Sequence, residues 1–428
     1  MTAGSKPFNN HSKTFRSNII IFCVVISFFS SSFDNFGVIN IAGYNFRLCQ
    51  LALLPLIILF FFKYVLFRKH IVIPKHCIFL VLFFLLNTIF IFRSPDLKNA
   101  FFYDLWLLFN ILVILSFYYL IPRILCLHIL MQFYVNSFVF VSVIGIIQLI
   151  LYYFGVDFYI TQAWSDVLCR VSGFSYEPSF YASYLLMGEI ITSYLYIKND
   201  ETIISKKYNL SCFIIISIGL ILSSSRMGTL SVFLYFLYLF FVGIKNRSSY
   251  YVRLLMLMFI YSIFFLIYYR LYSLNVISRS LVEGLDLFDA TNNWSSKTRL
   301  DGLVLALKFF LDNPLLGYSF WGVDPVFAEY YSVPYSSINN GLSTSIIGDC
   351  LMAGGVFGVI FLLTFFTQIF NLGIKSKNTL TNAMALSLLF ELIILCFNQN
   401  ILRPYLWVHI AFFLTLLDYN FVAPKKKN

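Results

Sequence analysis

Charge is what this sequence has least of: Asp, Glu, Lys and Arg together supply 11% of 428 residues, against 60% hydrophobic. A water-soluble domain could not cover that much apolar surface. Strict alternation of apolar and polar residues, the mark of a membrane barrel, is also missing. The apolar runs of about 20 residues therefore read as helices that satisfy their own backbone across a hydrocarbon core of about 30 Å. No Cys-x-x-Cys or mixed Cys/His spacing links the eight cysteines, which leaves a metal site or cofactor without support. Cys169 and Cys350 lie in or beside outer loops and could pair, but isolated small core residues are the simpler reading. A groove of interleaved basic and aromatic residues is absent, which argues against nucleic acid. No small-residue cleavage site follows the first apolar run, so an uncleaved first helix is expected.

The expected fold class is all-α: a polytopic integral membrane protein of about twelve helices, forming one domain over 1–428. Spans are expected near 17–34, 45–67, 74–93, 99–121, 125–154, 178–197, 208–224, 227–244, 250–271, 342–372, 378–397 and 401–420. Twelve spans put both termini on one side. That side collects Lys6, Lys13, Arg16, Lys63, Arg68, Lys69, Lys206, Lys207, Lys375, Lys377 and Lys425 to Lys427, so it is the cytoplasm. The net charge of +11 then reflects topology and anionic headgroups.

On the opposite face arginine replaces lysine as the main base, at Arg47, Arg93, Arg170, Arg226, Arg270, Arg279, Arg299 and Arg403. Acids accompany them, among others Asp34, Asp96, Glu177, Asp301, Asp312 and Asp349. Guanidinium suits bidentate phosphate contacts, which points to a phosphate-bearing ligand outside the membrane. The bland alternative is that these arginines snorkel at helix ends or pair with the acids. Two outer loops exceed the usual connection length, 155–177 and 272–341. Within the second, 298–311 reads as an amphipathic helix with Leu300, Leu303, Val304, Leu307, Phe310 and Leu311 on its apolar face, lying on the membrane surface or packed on the bundle top.

Three segments carry candidate chemistry. The first runs from Arg170 through Gly173 to Glu177, Pro178 and Ser179, with the proline starting a helix. The second is the turn Ser223, Ser224, Ser225, Arg226, Met227, Gly228, which puts an arginine and hydroxyls at the outer mouth of the bundle. In the third, Arg299 and Asp301 precede Asn313, Pro314, Leu315, Leu316 and Gly317. Downstream, Asp349 with Gly354, Gly355 and Gly358 opens the tenth span.

In this order the segments resemble the O-antigen polymerase and O-antigen ligase superfamily. The resemblance runs from about Arg170 to Gly358. It implies undecaprenyl-diphosphate-linked glycans as substrates on the periplasmic face of a bacterial inner membrane, with membrane lipids around the chain and a chain-length regulator and a flippase as partners. It carries Arg170, Arg226 and Arg299 over as functional arginines, and Arg403 and Asn313 complete the expected substrate-binding set. Glu177 is the preferred base, with Asp301 and Asp349 as alternates; pairing with Arg170 or a helix-start role is its structural alternative. Ligases of the superfamily place a histidine in the long loop or at the next helix start, whereas His11, His70, His76, His128 and His409 all map to the cytoplasmic side or deep in spans. The expectation is thus a polymerase that joins repeat units of O-antigen or capsular polysaccharide and releases undecaprenyl diphosphate. The alternatives are an O-antigen ligase or a lipid-linked oligosaccharide flippase, the latter reading Glu189 and Glu391 as an ion pathway.

Overall fold

The computed structural model describes residues 10–41, 44–67, 71–121, 127–163, 169–201, 204–243, 248–273, 294–320, 322–330, 332, 345–397 and 401–418. Each of the twelve expected segments falls on a helix. These are α1 (Asn10–Ser30), α2 (Leu48–Phe60), α3 (Ile78–Phe90), α4 (Leu97–Leu120), α5 (Leu127–Tyr153), α6 (Pro178–Lys198), α7 (Lys206–Leu222), α8 (Arg226–Val242) and α9 (Ser248–Ser273), then α12 (Ile346–Lys375), α13 (Thr379–Leu395) and α14 (Pro404–Asp418). Between α9 and α12 lie α10 (Trp294–Asp312) and α11 (Asp324–Tyr330). Among the described residues, strands are confined to two short antiparallel hairpins, β1 (Ile39–Ile41) with β2 (Tyr44–Phe46) and β3 (Gln162–Ala163) with β4 (Cys169–Arg170).

Among the described residues, six helical stretches are long and apolar enough to cross a membrane: Leu48–Leu66, Lys75–Arg93, Leu97–Leu120, Leu127–Tyr153, Ser248–Ile267 and Ile346–Lys375. The chain is a helical membrane protein on this ground. Helix α6 is as long as several of these but less apolar, and its surroundings explain why. Every residue from Phe180 to Ile197 is buried, including Ser183, Glu189, Thr192 and Ser193, so this helix meets protein on all sides and no lipid. It packs on α5, α7, α8 and α13.

Small residues set the close approaches around α6. A Cβ on Gly188 would sit 2.4 Å from the Phe138 ring of α5, and one on Gly219 of α7 would sit 2.1 Å from Ser142 Oγ. Without a driving force from water, such close backbone packing is what holds helices together in lipid. Polar side chains inside the bundle bond locally: Tyr134 Oη lies 2.7 Å from His409 Nδ1, and Ser217 Oγ donates to Glu189 Oε1 at 2.7 Å. The sites described below lie where α1 and α3 end and α2, α4, α6, α8, α12 and α14 begin, here called the upper end.

Candidate functional site

The first and second motifs meet. Gln162 pairs with Arg170 across the β3–β4 hairpin, and Arg170 Nη1 donates to Gln162 Oε1 at 2.6 Å. The rest of the guanidinium reaches the serine turn, with Nε donating to Ser223 O at 3.3 Å and Nη2 to Ser224 O at 3.4 Å. Backbone follows side chain, since Val171 N donates to Leu222 O. The turn itself is built by its serines. Ser224 takes a left-handed φ of 52°, and Ser225 caps α8 by accepting from Gly228 N. Arg226 is the first residue of α8 and is exposed. Gly228 lets α8 approach α6, because a Cβ there would lie 3.0 Å from that of Ala182.

Buried Gln148 of α5 fixes the segment between Arg170 and Glu177. Its Oε1 accepts from Ser172 N and Gly173 N, and its Nε2 donates to Gly173 O at 2.7 Å. Gly173 has φ of 57° and lies flat on the Tyr181 ring, where a side chain would crowd at 3.1 Å. Glu177 then occupies the N-cap position of α6 in an extended conformation, half-buried, with Pro178 at the first helical position. Its carboxylate accepts from Ser179 Oγ at 3.2 Å. Burial pushes the Cys169 thiol up to about 11, which suits a buried packing residue; neither Cys169 nor Cys350 is in a disulfide.

Arg403, which precedes α14, arrives beside the same segment. Its Nη1 lies 2.8 Å from Asp34 Oδ1, and Arg47 Nε meets that same oxygen at 2.8 Å. Asp34 Oδ2 accepts from Tyr176 N, and the guanidinium of Arg403 stacks 4.0 Å from the Phe180 ring centroid. Asp34 and Arg47 are the functional candidates that sequence reasoning passed over. Composition placed them on the outer face, but no spacing joins Asp34 to Arg403, which are 369 residues apart.

The third motif is a docking device. Helix α12 breaks at Gly355, whose φ of 57° and ψ of −148° leave the helical region. In an unbroken helix Val356 N would donate to Met352 O. Here it donates instead to Pro314 O at 2.9 Å, while Met352 O accepts from Tyr318 N and Ala353 O from Ser319 N. The segment Pro314 to Ser319 thus takes up the backbone groups that the break releases. Gly317 is required by the contact, since a Cβ would fall 2.0 Å from Ala353 O. Asn313 Nδ2 donates to Tyr318 Oη, and Arg93 Nη2 reaches Asn313 Oδ1 at 3.4 Å.

The expected helix 298–311 lies within α10. It packs on the first half of α12 through Leu305 and Ala306, with Ala306 against Gly348, while Val304, Leu307 and Leu311 remain exposed. Asp301 is half-buried on α10, and Asp349 is buried in the first turn of α12 after the Ser345 cap. Arg299 lies on α10, but its side chain falls outside the described residues, as do residues 164–168, 274–293, 321, 331 and 333–341 of the two expected loops. Glu189 and Glu391 are fully buried within the helix bundle.

The geometry therefore gathers Arg170 with the serine turn, Arg403 with the start of α6, and Asn313 with the α12 break. Comparison with known families adds one finding. Residues 211–363 match the family model described as O-Antigen ligase, in agreement with the resemblance to the O-antigen polymerase and ligase superfamily. The matched stretch holds Arg226, Arg299, Asn313 and the break in α12, and it stops short of Arg170 and Glu177. A search of curated proteins finds no match.

Proposed function

We propose that this chain crosses the bacterial inner membrane twelve times and polymerises undecaprenyl-diphosphate-linked repeat units at its upper, periplasmic end. One observation carries the reading: Arg170 lies on the carbonyls of the turn that presents Arg226, so two arginines from separate motifs share one outer mouth. In the proposed reaction a terminal sugar hydroxyl of one repeat unit attacks the anomeric carbon of the growing chain. The bond from that carbon to the diphosphate oxygen breaks, and undecaprenyl diphosphate leaves with the electron pair. Fixed guanidiniums stabilise the charge that develops on the departing diphosphate. Arg170, Arg226 and Arg299 have that role, and Arg403 and Asn313 contribute to substrate binding. The acceptor proton passes to Glu177, which stands at the start of α6 seven residues after Arg170, with Asp301 and Asp349 as the other candidates. A chain-length regulator and a flippase are the partners such a polymerase implies.

The ligase reading is favoured by one specific finding, the description of the matched family. Against it, residues 272–345 contain no histidine. Purified protein supplied only with lipid-linked repeat units tests the choice. A ladder of lengths supports polymerisation, whereas transfer only to a lipid A core acceptor makes the chain a ligase and rejects the proposal.

A further inference from the structure

We propose that Asp34, Arg47 and Arg403 form a second diphosphate site, separate from the Arg170–Arg226 mouth, which holds the lipid-linked acceptor; the acceptor assignment rests on the transfer reading above. Two guanidiniums meet one carboxylate oxygen at 2.8 Å each, so the cluster retains one net positive charge. The arginine side chains are only 21% and 17% exposed, and the acid 5%. A partly buried excess charge is costly unless an anion completes it.

Among the described residues, most of the donors have no hydrogen-bond partner besides Asp34 and are available to an anion. Among the described contacts, Arg47 spends Nε on Asp34 and Arg403 spends Nη1, out of five N–H groups on each. Three helices of 13 or more residues begin here as well: α2 directly after Arg47, α14 directly after Arg403, and α6 two residues beyond Tyr176, whose N–H already points at Asp34. Their positive ends add to the attraction for an anion.

Beside the charges lies a ring platform. Asp34 N and Asn35 N both donate to Phe174 O, and on the Phe174 ring are gathered Phe36, stacked at 4.8 Å, and Tyr159, edge-on at 5.3 Å. Phe36, Tyr159 and the adjacent Tyr176 are 41%, 43% and 56% exposed. A diphosphate on the arginines would put the first sugar at these ring faces. The ligand class is therefore a diphosphate-linked sugar. Glu177 follows Tyr176, whose N–H reaches Asp34, and comes seven residues after Arg170 in the same segment.

The test counts bound diphosphates. Protein in nanodiscs of zwitterionic lipid is titrated with farnesyl diphosphate and read by native mass spectrometry. Wild type should bind two equivalents. The pair Arg47→Ala with Arg403→Ala should bind one, and Arg170→Ala with Arg226→Ala should lose the other. Arg47→Lys with Arg403→Lys keeps the charge paired to Asp34 and guards against misfolding; it should weaken one equivalent by about tenfold or more, the scale of one charge-assisted hydrogen bond. A single equivalent in wild type, or two in both Arg47/Arg403 variants, overturns the site. So does displacement of that equivalent by phosphatidylglycerol alone, which would make the cluster a lipid-headgroup anchor. Two equivalents in a protein that makes no ladders would retain the site and reject polymerisation instead.

Discussion

The N–H of Val356 donates to the carbonyl of Pro314 at 2.9 Å, so the long loop completes a helix that its own sequence interrupts. Gly355 makes this possible with a backbone conformation close to glycine-only territory, and a Cβ there would lie 2.6 Å from Pro314 O. Gly355→Ala is expected to cost about 1–3 kcal/mol in backbone strain alone, with the crowding added. Gly317→Ala should act in the same direction. Apparent unfolding midpoints by intrinsic fluorescence in detergent check this, with exposed Val304→Ala as the control; midpoints no lower than that control would mean the loop does not hold the break.

Alanine at Arg170, Arg226 or Arg299 should abolish polymer ladders, and lysine should restore little, because a point charge cannot replace a two-pronged fork. At Arg170 the lysine variant also loses the simultaneous reach to Gln162, Ser223 and Ser224. Ladder gels beside immunoblots of membrane-inserted protein measure this. Normal ladders in all three alanine variants would remove the arginine clamp.

Glu177→Gln keeps shape and removes basicity, so turnover should fall by roughly 100-fold or more while lipid-linked donor still binds. A purely structural carboxylate would instead cost about 1 kcal/mol of stability and spare turnover. Asp301→Asn and Asp349→Asn are measured alongside with purified protein; the base is whichever carboxylate shows the large loss.

Topology has its own check. A reporter active only in the periplasm should score when fused after Trp294, and a cytoplasmic reporter should score after Lys206. The reverse pattern would put the arginines in the wrong compartment.

The helices were legible because apolar runs lie between charged breaks, and among the described residues six of them are long and apolar enough to cross a bilayer. The contacts at the upper end were legible only where side chains carry them. Arg170 and the serine turn could be nominated from residue type, whereas the docking of Pro314 on Val356 is backbone to backbone and leaves no mark in the sequence except its glycines. In α10 the spacing of Val304, Leu307 and Leu311 suggested the apolar face, yet the face turned to α12 includes small Ala306 opposite Gly348. Close helix packing selects small residues, which a hydropathy pattern underweights. Asp34 and Arg47 were missed because a charge cluster drawn from chain ends 369 residues apart has no local signature.

The join between the loop and α12 also settles what kind of object the loop is. A segment whose carbonyls and amides stand in for a helix's own cannot lift away without fraying that helix. Pinned at Pro314 to Ser319, the end of α10 is tied to α12 by backbone hydrogen bonds at three places. Under the proposed function, substrates at the upper end would meet a fixed post where Pro314 to Ser319 joins α12.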